Sequence, residues 1–194
     1  GQDVGGQSGQ SQQEVMIHGG SENDQRITVG GMATNGWQVP SVSRIWFSDG
    51  NYEEIQVTHS AGSAEIETGG VTFNLIPRAG GNTFTSRNYF SFTRPGLQSD
   101  NVSGDLADEL LFDVNKVKNL WTVNPSLGGP IVRDKLWFFG SYTRNVADNY
   151  VAFQEDLDPN ATFYTPGPNQ AVDDQETDDF AGRLTWQVND ANKF

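Results

Sequence analysis

The stretch Phe180-Ala181-Gly182-Arg183-Leu184-Thr185-Trp186-Gln187-Val188 decides the fold class. Phe180, Gly182, Leu184, Trp186 and Val188 fall on one side at a period of two. Ala181, Arg183, Thr185 and Gln187 fall on the other. An apolar row opposite a polar row at that period is what a half-buried β-strand requires, because successive side chains of a strand point to opposite faces.

Working outward, three more segments of the second half read as strands. Asn82 to Arg94 is aromatic and free of Gly and Pro, Leu120 to Leu127 follows, and Lys135 to Asn145 is the third. The connections between them alternate in length. Residues 95–119 form a long polar link with a possible helical piece at Leu106 to Phe112, and Gly128 to Asp134 forms a short one. Residues 146–178 form a long link with eight acidic residues and no Lys or Arg, and Asn189-Asp190-Ala191-Asn192 is a short turn. Transmembrane β-barrels show this asymmetry, with long extracellular loops and short periplasmic turns. The segments are near the roughly 9–11 residues that cross an outer membrane when tilted. Aromatic clusters at Tyr89, Phe90 and Phe92 and at Trp137, Phe138 and Phe139 suit the membrane interface. A soluble β-sandwich also alternates and also buries aromatics. The long acidic link favours the barrel, since long irregular loops are uncommon in compact domains.

The first half is different in texture. Residues 1–13 are polar and Gly-rich and read as a loop or tail. Short β-like pieces follow at Glu14 to His18, Arg26 to Val29, Ile55 to Thr58 and Val71 to Pro77. Turn signals such as Ser48-Asp49-Gly50-Asn51 lie between them, and 51–54 could open a helical turn. The composition fits β-structure with tight turns: 22 glycines, 12 phenylalanines and 5 tryptophans. A net charge of -13 argues against a nucleic-acid partner, which needs a basic face. With no cysteine there is no disulfide framework, thiolate metal site or Cys nucleophile. No apolar run approaches the roughly 20 residues of a membrane-spanning helix. The polar opening is no signal peptide, and we expect it not to be the native start.

Several segments resemble the TonB-dependent outer-membrane receptors. Tyr52-Glu53-Glu54-Ile55-Gln56-Val57, Ser63-Ala64-Glu65, Gly69-Gly70-Val71-Thr72-Phe73-Asn74-Leu75-Ile76 and Gly80-Gly81-Asn82-Thr83-Phe84 are similar, in order, to the end of that family's plug. Pro77 follows Ile76 and departs from the family pattern, so the strand should end or bend there. Ser126-Leu127-Gly128-Gly129-Pro130-Ile131 and Asp134-Lys135-Leu136-Trp137-Phe138-Phe139-Gly140-Ser141-Tyr142 resemble a barrel hairpin of the Oar-like branch. Met16-Ile17-His18-Gly19 and Arg26-Ile27-Thr28-Val29-Gly30-Gly31-Met32 resemble earlier plug motifs. His18 stands where Arg is common, and Gly30 where Asp is usual.

The resemblance implies a mainly β chain: a small plug domain followed by the first antiparallel strands of an incomplete transmembrane β-barrel. Residues 1–81 would be the C-terminal part of the plug. Residues 82–194 would be the first barrel strands, with extracellular loops 95–119 and 146–178. Gly19, Gly31, Gly69 and Gly70 would carry the plug motif. Gly128, Gly129, Pro130, Asp134 and Lys135 would carry the barrel hairpin motif. The implied function is import of a nutrient ligand across the outer membrane without covalent chemistry and without a cofactor. The partners would be outer-membrane lipid, an imported ligand and the TonB complex, the last through a segment not visible here. The chain would then be a fragment, since a few strands leave unpaired edges that cannot persist in lipid.

Other chemistry was weighed against this. Asp156, Asp158, Asp173 and Asp174, with Glu155, Glu176, Asp178 and Asp179 nearby, are candidate Ca²⁺ ligands by carboxylate chemistry. A solvated acidic loop is the preferred reading of them. His18 and His59 are far apart in sequence and read as polar contacts. Strand tryptophans read as interface anchors, while Trp37 and Trp46 have two readings, plug packing or substrate contact. A secreted β-sandwich for carbohydrate binding or adhesion is the alternative, and should be soluble without detergent. A glycosidase would need two carboxylates across a cleft, and no motif pairs them.

Overall fold

The computed structural model describes residues 15–17, 19–36, 43, 47–59, 69–99, 114–160, 162–189 and 192–193. They form two sheets. The first runs β2-β1-β4-β3, with β1 at Arg26–Val29, β2 at Met32–Ala33, β3 at Tyr52–Thr58 and β4 at Thr72–Pro77. The central pair β1/β4 is parallel, and β2 and β3 flank it antiparallel. Ile27 and Leu75, with Val71 just before β4, are its buried apolar residues. A polar row crosses three strands: Thr28 Oγ1 donates to Asn74 Oδ1 (2.9 Å), and Asn74 Nδ2 donates to Gln56 Oε1 (3.3 Å). As expected, β4 ends at Pro77, which offers no N–H to continue the ladder.

The second sheet is an antiparallel meander, β5-β6-β7-β8-β9. Its members are β5 (Thr85–Thr93), β6 (Lys116–Val132), β7 (Leu136–Asp156), β8 (Pro166–Asn189) and β9 (Asn192–Lys193). Register assigns the faces. Phe90 pairs with Val123, Leu127 with Gly140, Tyr142 with Phe180, Phe138 with Leu184 and Leu136 with Trp186. This apolar row stands in the open: Phe180 is 77% exposed, Leu184 67% and Trp186 55%. The opposite row holds Asn124, Ser126, Thr143 and Thr185, all buried, with Asn124 only 1% exposed. Trp137 and Phe139, expected at a membrane interface, are instead buried on this inward row near the turn; apart from them its buried residues are polar, so the sheet is largely inverted relative to a soluble protein.

The strands are longer than the sequence suggests, and this corrects one reading. Residues 146–178 are not one long loop: β7 continues to Asp156, β8 begins at Pro166, and the connection is 157–165. The cause is physical. Beyond Phe180 and Tyr142 polar residues occupy both faces, so the period-two signal disappears while the ladder continues. At roughly 3.3 Å per residue, β8 is about 80 Å long, far beyond what a bilayer needs. Likewise β6 starts at Lys116 inside the expected link 95–119, and runs to Val132 through the expected connection Gly128 to Asp134. The turn shrinks to 133–135, with Asp134 at φ 62°. The Ser48–Asn51 turn is a short 3₁₀ segment at Asp49–Asn51, and strand β3 begins directly after it. Residues 15–17 carry no strand. Residues 1–13, His18, Trp37, Trp46 and the possible helix at Leu106 to Phe112 lie outside the described residues.

Candidate functional site

The two sheets meet along the polar face of the second, and the meeting has a lower and an upper part. The lower part joins two segments that the sequence singles out separately. Gly80 lies so close to β7 that a Cβ there would collide with the carbonyl oxygen of Phe138. The Phe84 ring covers Gly129, where any side chain would strike it, and sits 6.4 Å from the Phe138 ring. Asn82 Oδ1 accepts from the Trp137 indole N–H (2.7 Å) and from the Asp134 backbone N–H (3.0 Å). Asn82 Nδ2 donates to the Asp134 carboxylate (2.5 Å). The Gly-Gly-Asn segment and the Asp-Lys turn are therefore two halves of one clasp.

The remaining motif residues are placed as follows. Lys135 offers its carbonyl to the Gln187 N–H (2.8 Å), tying the turn to β8. Gly128 pairs with Phe139 and Pro130 with Trp137, and the ladder shifts between Pro130 and Val132. Gly19 and Gly31 occupy turns with positive φ, Gly70 abuts the Asp24 carbonyl, and Gly69 borders open space.

The upper part is built around the Asp49–Asn51 turn, which pushes into the wall of β6, β7 and β8. Asn51 is 5% exposed, yet both ends of its amide are satisfied. Its Nδ2 donates to Asp179 Oδ2 on β8 (2.7 Å), and its Oδ1 accepts from the Ser141 hydroxyl on β7. Gly50 lies directly against Asn124, leaving no room for a side chain. Asn124 Nδ2 donates to Thr143 Oγ1 (2.7 Å) and to the Tyr142 carbonyl (3.1 Å). The β6/β7 register omits the rungs at Asn124 and Pro125, and Pro125 has no N–H, so the side-chain amide stands in for a ladder donor. From the first sheet, Arg78 Nε donates to the Gly50 carbonyl (3.1 Å), and Arg183 on β8 donates to the Pro77 carbonyl (3.1 Å). Tyr52 packs edge-on to Phe47 at 6.0 Å. Burial, with Asp179 adding to it, pushes the Tyr52 hydroxyl up to about 12. Beside the turn opens a cleft of about 510 Å³, lined by Phe47, Ser48, Arg87, Tyr89, Asn145 and Asp179 among others.

The acidic candidates do not converge. Asp156 pairs opposite Pro166 near the hairpin tip, while Asp173 pairs opposite Asn149, many rungs away. Asp156 Oδ1 accepts from the Asp158 and Thr165 N–H groups, and Asp158 Oδ1 from Asn160 N–H, so these two carboxylates shape the turn. Asp173 accepts from Gln175, and Asp174 stands opposite Asp148. Among the described residues no group of three or more His, Cys, Asp or Glu is placed to hold a metal. His59 is exposed just beyond β3. On the outward face, Arg144 bridges Glu176 (2.6 Å) and Asp178 (3.0 Å), two rungs above Tyr142 and Phe180.

No protein-family profile matches the chain. The TonB-dependent transporter Oar of Myxococcus xanthus is 26% identical over 192 residues, covering 90% of this chain and 18% of that protein. The crystal structure of the siderophore receptor PirA from Acinetobacter baumannii superposes with a TM-score of 0.57 at 20% identity, over 90% of this chain and 23% of that one. Over most of its length the chain is thus similar to TonB-dependent receptors in sequence and in fold. It spans about a fifth of the length of the relatives it matches. Its two unclosed sheets are those of a receptor plug and the beginning of its barrel. The clasp and the Asn51 turn tie the segments that flank the first sheet to the second sheet. Sequence reasoning named Asn82, Asn51 and Ser141 only as parts of motifs or a turn, without their partners, and did not single out Asn124. For Asp179 a signal existed: extending the polar row Arg183, Ala181 by two residues lands on it.

Proposed function

We propose that this chain is the plug-to-barrel part of a receptor that imports a nutrient ligand across the bacterial outer membrane, powered through the TonB complex. Residues 1–81 belong to the plug in this reading, and residues 82–194 to the first barrel strands. The observation that carries it is the inverted second sheet. Its apolar row faces out, and its buried polar row receives the Asp49–Asn51 turn. Lipid supplies the missing apolar partner, and a water-filled lumen with a plug supplies the polar one. The belt on β8 runs from Phe180 to Val188. At about 3.3 Å per residue and a tilt near 40° it is roughly 23 Å tall, close to the band of an outer-membrane barrel. The Arg144–Glu176–Asp178 cluster sits just past its upper end, where charge meets headgroups and water. In a secreted sandwich module, the same row would have to pack on a second sheet.

The test uses the full receptor in phospholipid vesicles. Single cysteines at Leu184 and Arg183 are exposed to a water-soluble thiol reagent. The reading requires labelling at 183 and protection at 184. Equal labelling at both would remove the barrel assignment and the transport function with it.

A further inference from the structure

We propose that Asn51 is the latch that holds the plug in the barrel wall, a positioning residue whose release frees the plug turn. The proposal rests on the plug-and-barrel reading. Asn51 is buried, and its two amide ends are held by different barrel strands, Ser141 on β7 and Asp179 on β8. It therefore senses the spacing of both strands, as a residue with a single contact would not. The turn that presents it is fixed on the plug side, because Asn51 N–H donates to the Ser48 carbonyl and its own carbonyl accepts from Arg78 N–H, both at 2.9 Å. A cleft opens on one side of the turn, and on the other Gly50 meets the polar side chain of Asn124, so the partners around Asn51 are polar. A polar contact of this kind suits release, since water replaces the partners at modest net cost once the turn withdraws. The lower clasp at Asn82 lies where the plug runs directly into β5, and so is tethered by the chain itself. Asn51 has no such tether.

The exchange of Asn51 and Asp179 makes the idea testable. N51D places two carboxylates face to face and should free the turn. The swapped pair N51D/D179N restores one amide and one carboxylate, in reverse order. The full receptor is folded in detergent micelles with a single cysteine at Ser48; the described sequence has none of its own. Its rate of thiol labelling reports withdrawal of the turn, and the gel mobility of the unheated barrel reports the barrel. N51D should label roughly tenfold faster, as expected for loss of a charge-assisted buried hydrogen bond. N51D/D179N should return most of the way, with barrel mobility unchanged throughout. Unaltered labelling in N51D, or absence of rescue in the swapped pair, would overturn the latch. Failure of the unmutated protein to form a compact barrel would instead overturn the reading beneath it.

Discussion

In the plug sheet the buried residues include Ile27, Val71 and Leu75, whereas in the barrel sheet Asn124, Ser126, Thr143 and Thr185 are buried while Phe180, Leu184 and Trp186 stand in the open. Clean alternation at a period of two marks the second sheet, whereas β1 of the first buries the neighbours Ile27 and Thr28 together. The plug strands have four, two, seven and six residues. They are bounded by glycine turns and are cross-linked by a polar row at Thr28, Asn74 and Gln56. The principal barrel strands β6 to β8 have 17 to 24 residues and hold one another through a long antiparallel ladder. A piece held largely by polar contacts thus sits against a wall held by a continuous ladder, which is the division needed if one is to move and the other to stay.

The sharpest way to break this contrast is a charge on the apolar row. L184R lies mid-belt and should cost about 2–4 kcal/mol of barrel stability in a bilayer. Q187R, on the polar row of the same strand, should be close to neutral. Denaturant titrations of the full receptor folded into vesicles measure both. Equal costs on the two rows would mean that the sheet is not inverted by lipid.

The clasp offers the next largest effect. In G80A the new methyl meets the Phe138 backbone, which cannot rotate away, so plug and barrel must separate locally. An overpacking cost of about 1–3 kcal/mol is expected. G69A, a glycine bordered by open space, should change much less. If both substitutions destabilise alike, the close approach at Gly80 is not a constraint. Smaller again is N82A, which strips the Trp137 indole and the Asp134 N–H of their shared acceptor. Water can take the place of Asn82 at the exposed Asp134 N–H, while the Trp137 ring is buried, so about 0.5–1.5 kcal/mol should be lost. The change should appear in the emission of Trp137, read as the difference from a W137F control.

These sites differ in how far the sequence announces them. The lower barrel strands were legible because apolar residues recur at every second position, as Phe180 to Val188 shows. The upper strands were not, because Asp148, Asp174 and Glu176 sit on a ladder with water on both sides, where polarity carries no period. The Gly80 and Asn82 segment was legible as a motif, but its partners at Asp134 and Phe138 lie more than fifty residues on, and only the register of β6 and β7 brings them together. Asn51 and Asp179 are 128 residues apart. Nothing local to Asn51 distinguishes a latch from an ordinary turn residue, since Asn is a common turn former for reasons of its own backbone.

The least effect, and the most local, is a titration. Tyr52 joins the two regions: it lies on a plug strand, is half-buried against Phe47, and feels Asp179 of the barrel. Both influences disfavour the phenolate, so its hydroxyl holds its proton to about 12 in the folded protein, against 10.0 when exposed. A folded-state pKa above the unfolded one contributes stability that is fully present below pH 10 and is lost as the pH rises towards 12. Tyrosinate absorbance of the full receptor should therefore lose one late-titrating ring in Y52F. In D179N that ring should ionise earlier, but still later than an exposed tyrosine, because burial is the larger cause. If D179N leaves the titration unmoved, Asp179 does not face the plug turn, and the contact between the two regions is looser than the Asn51 geometry requires.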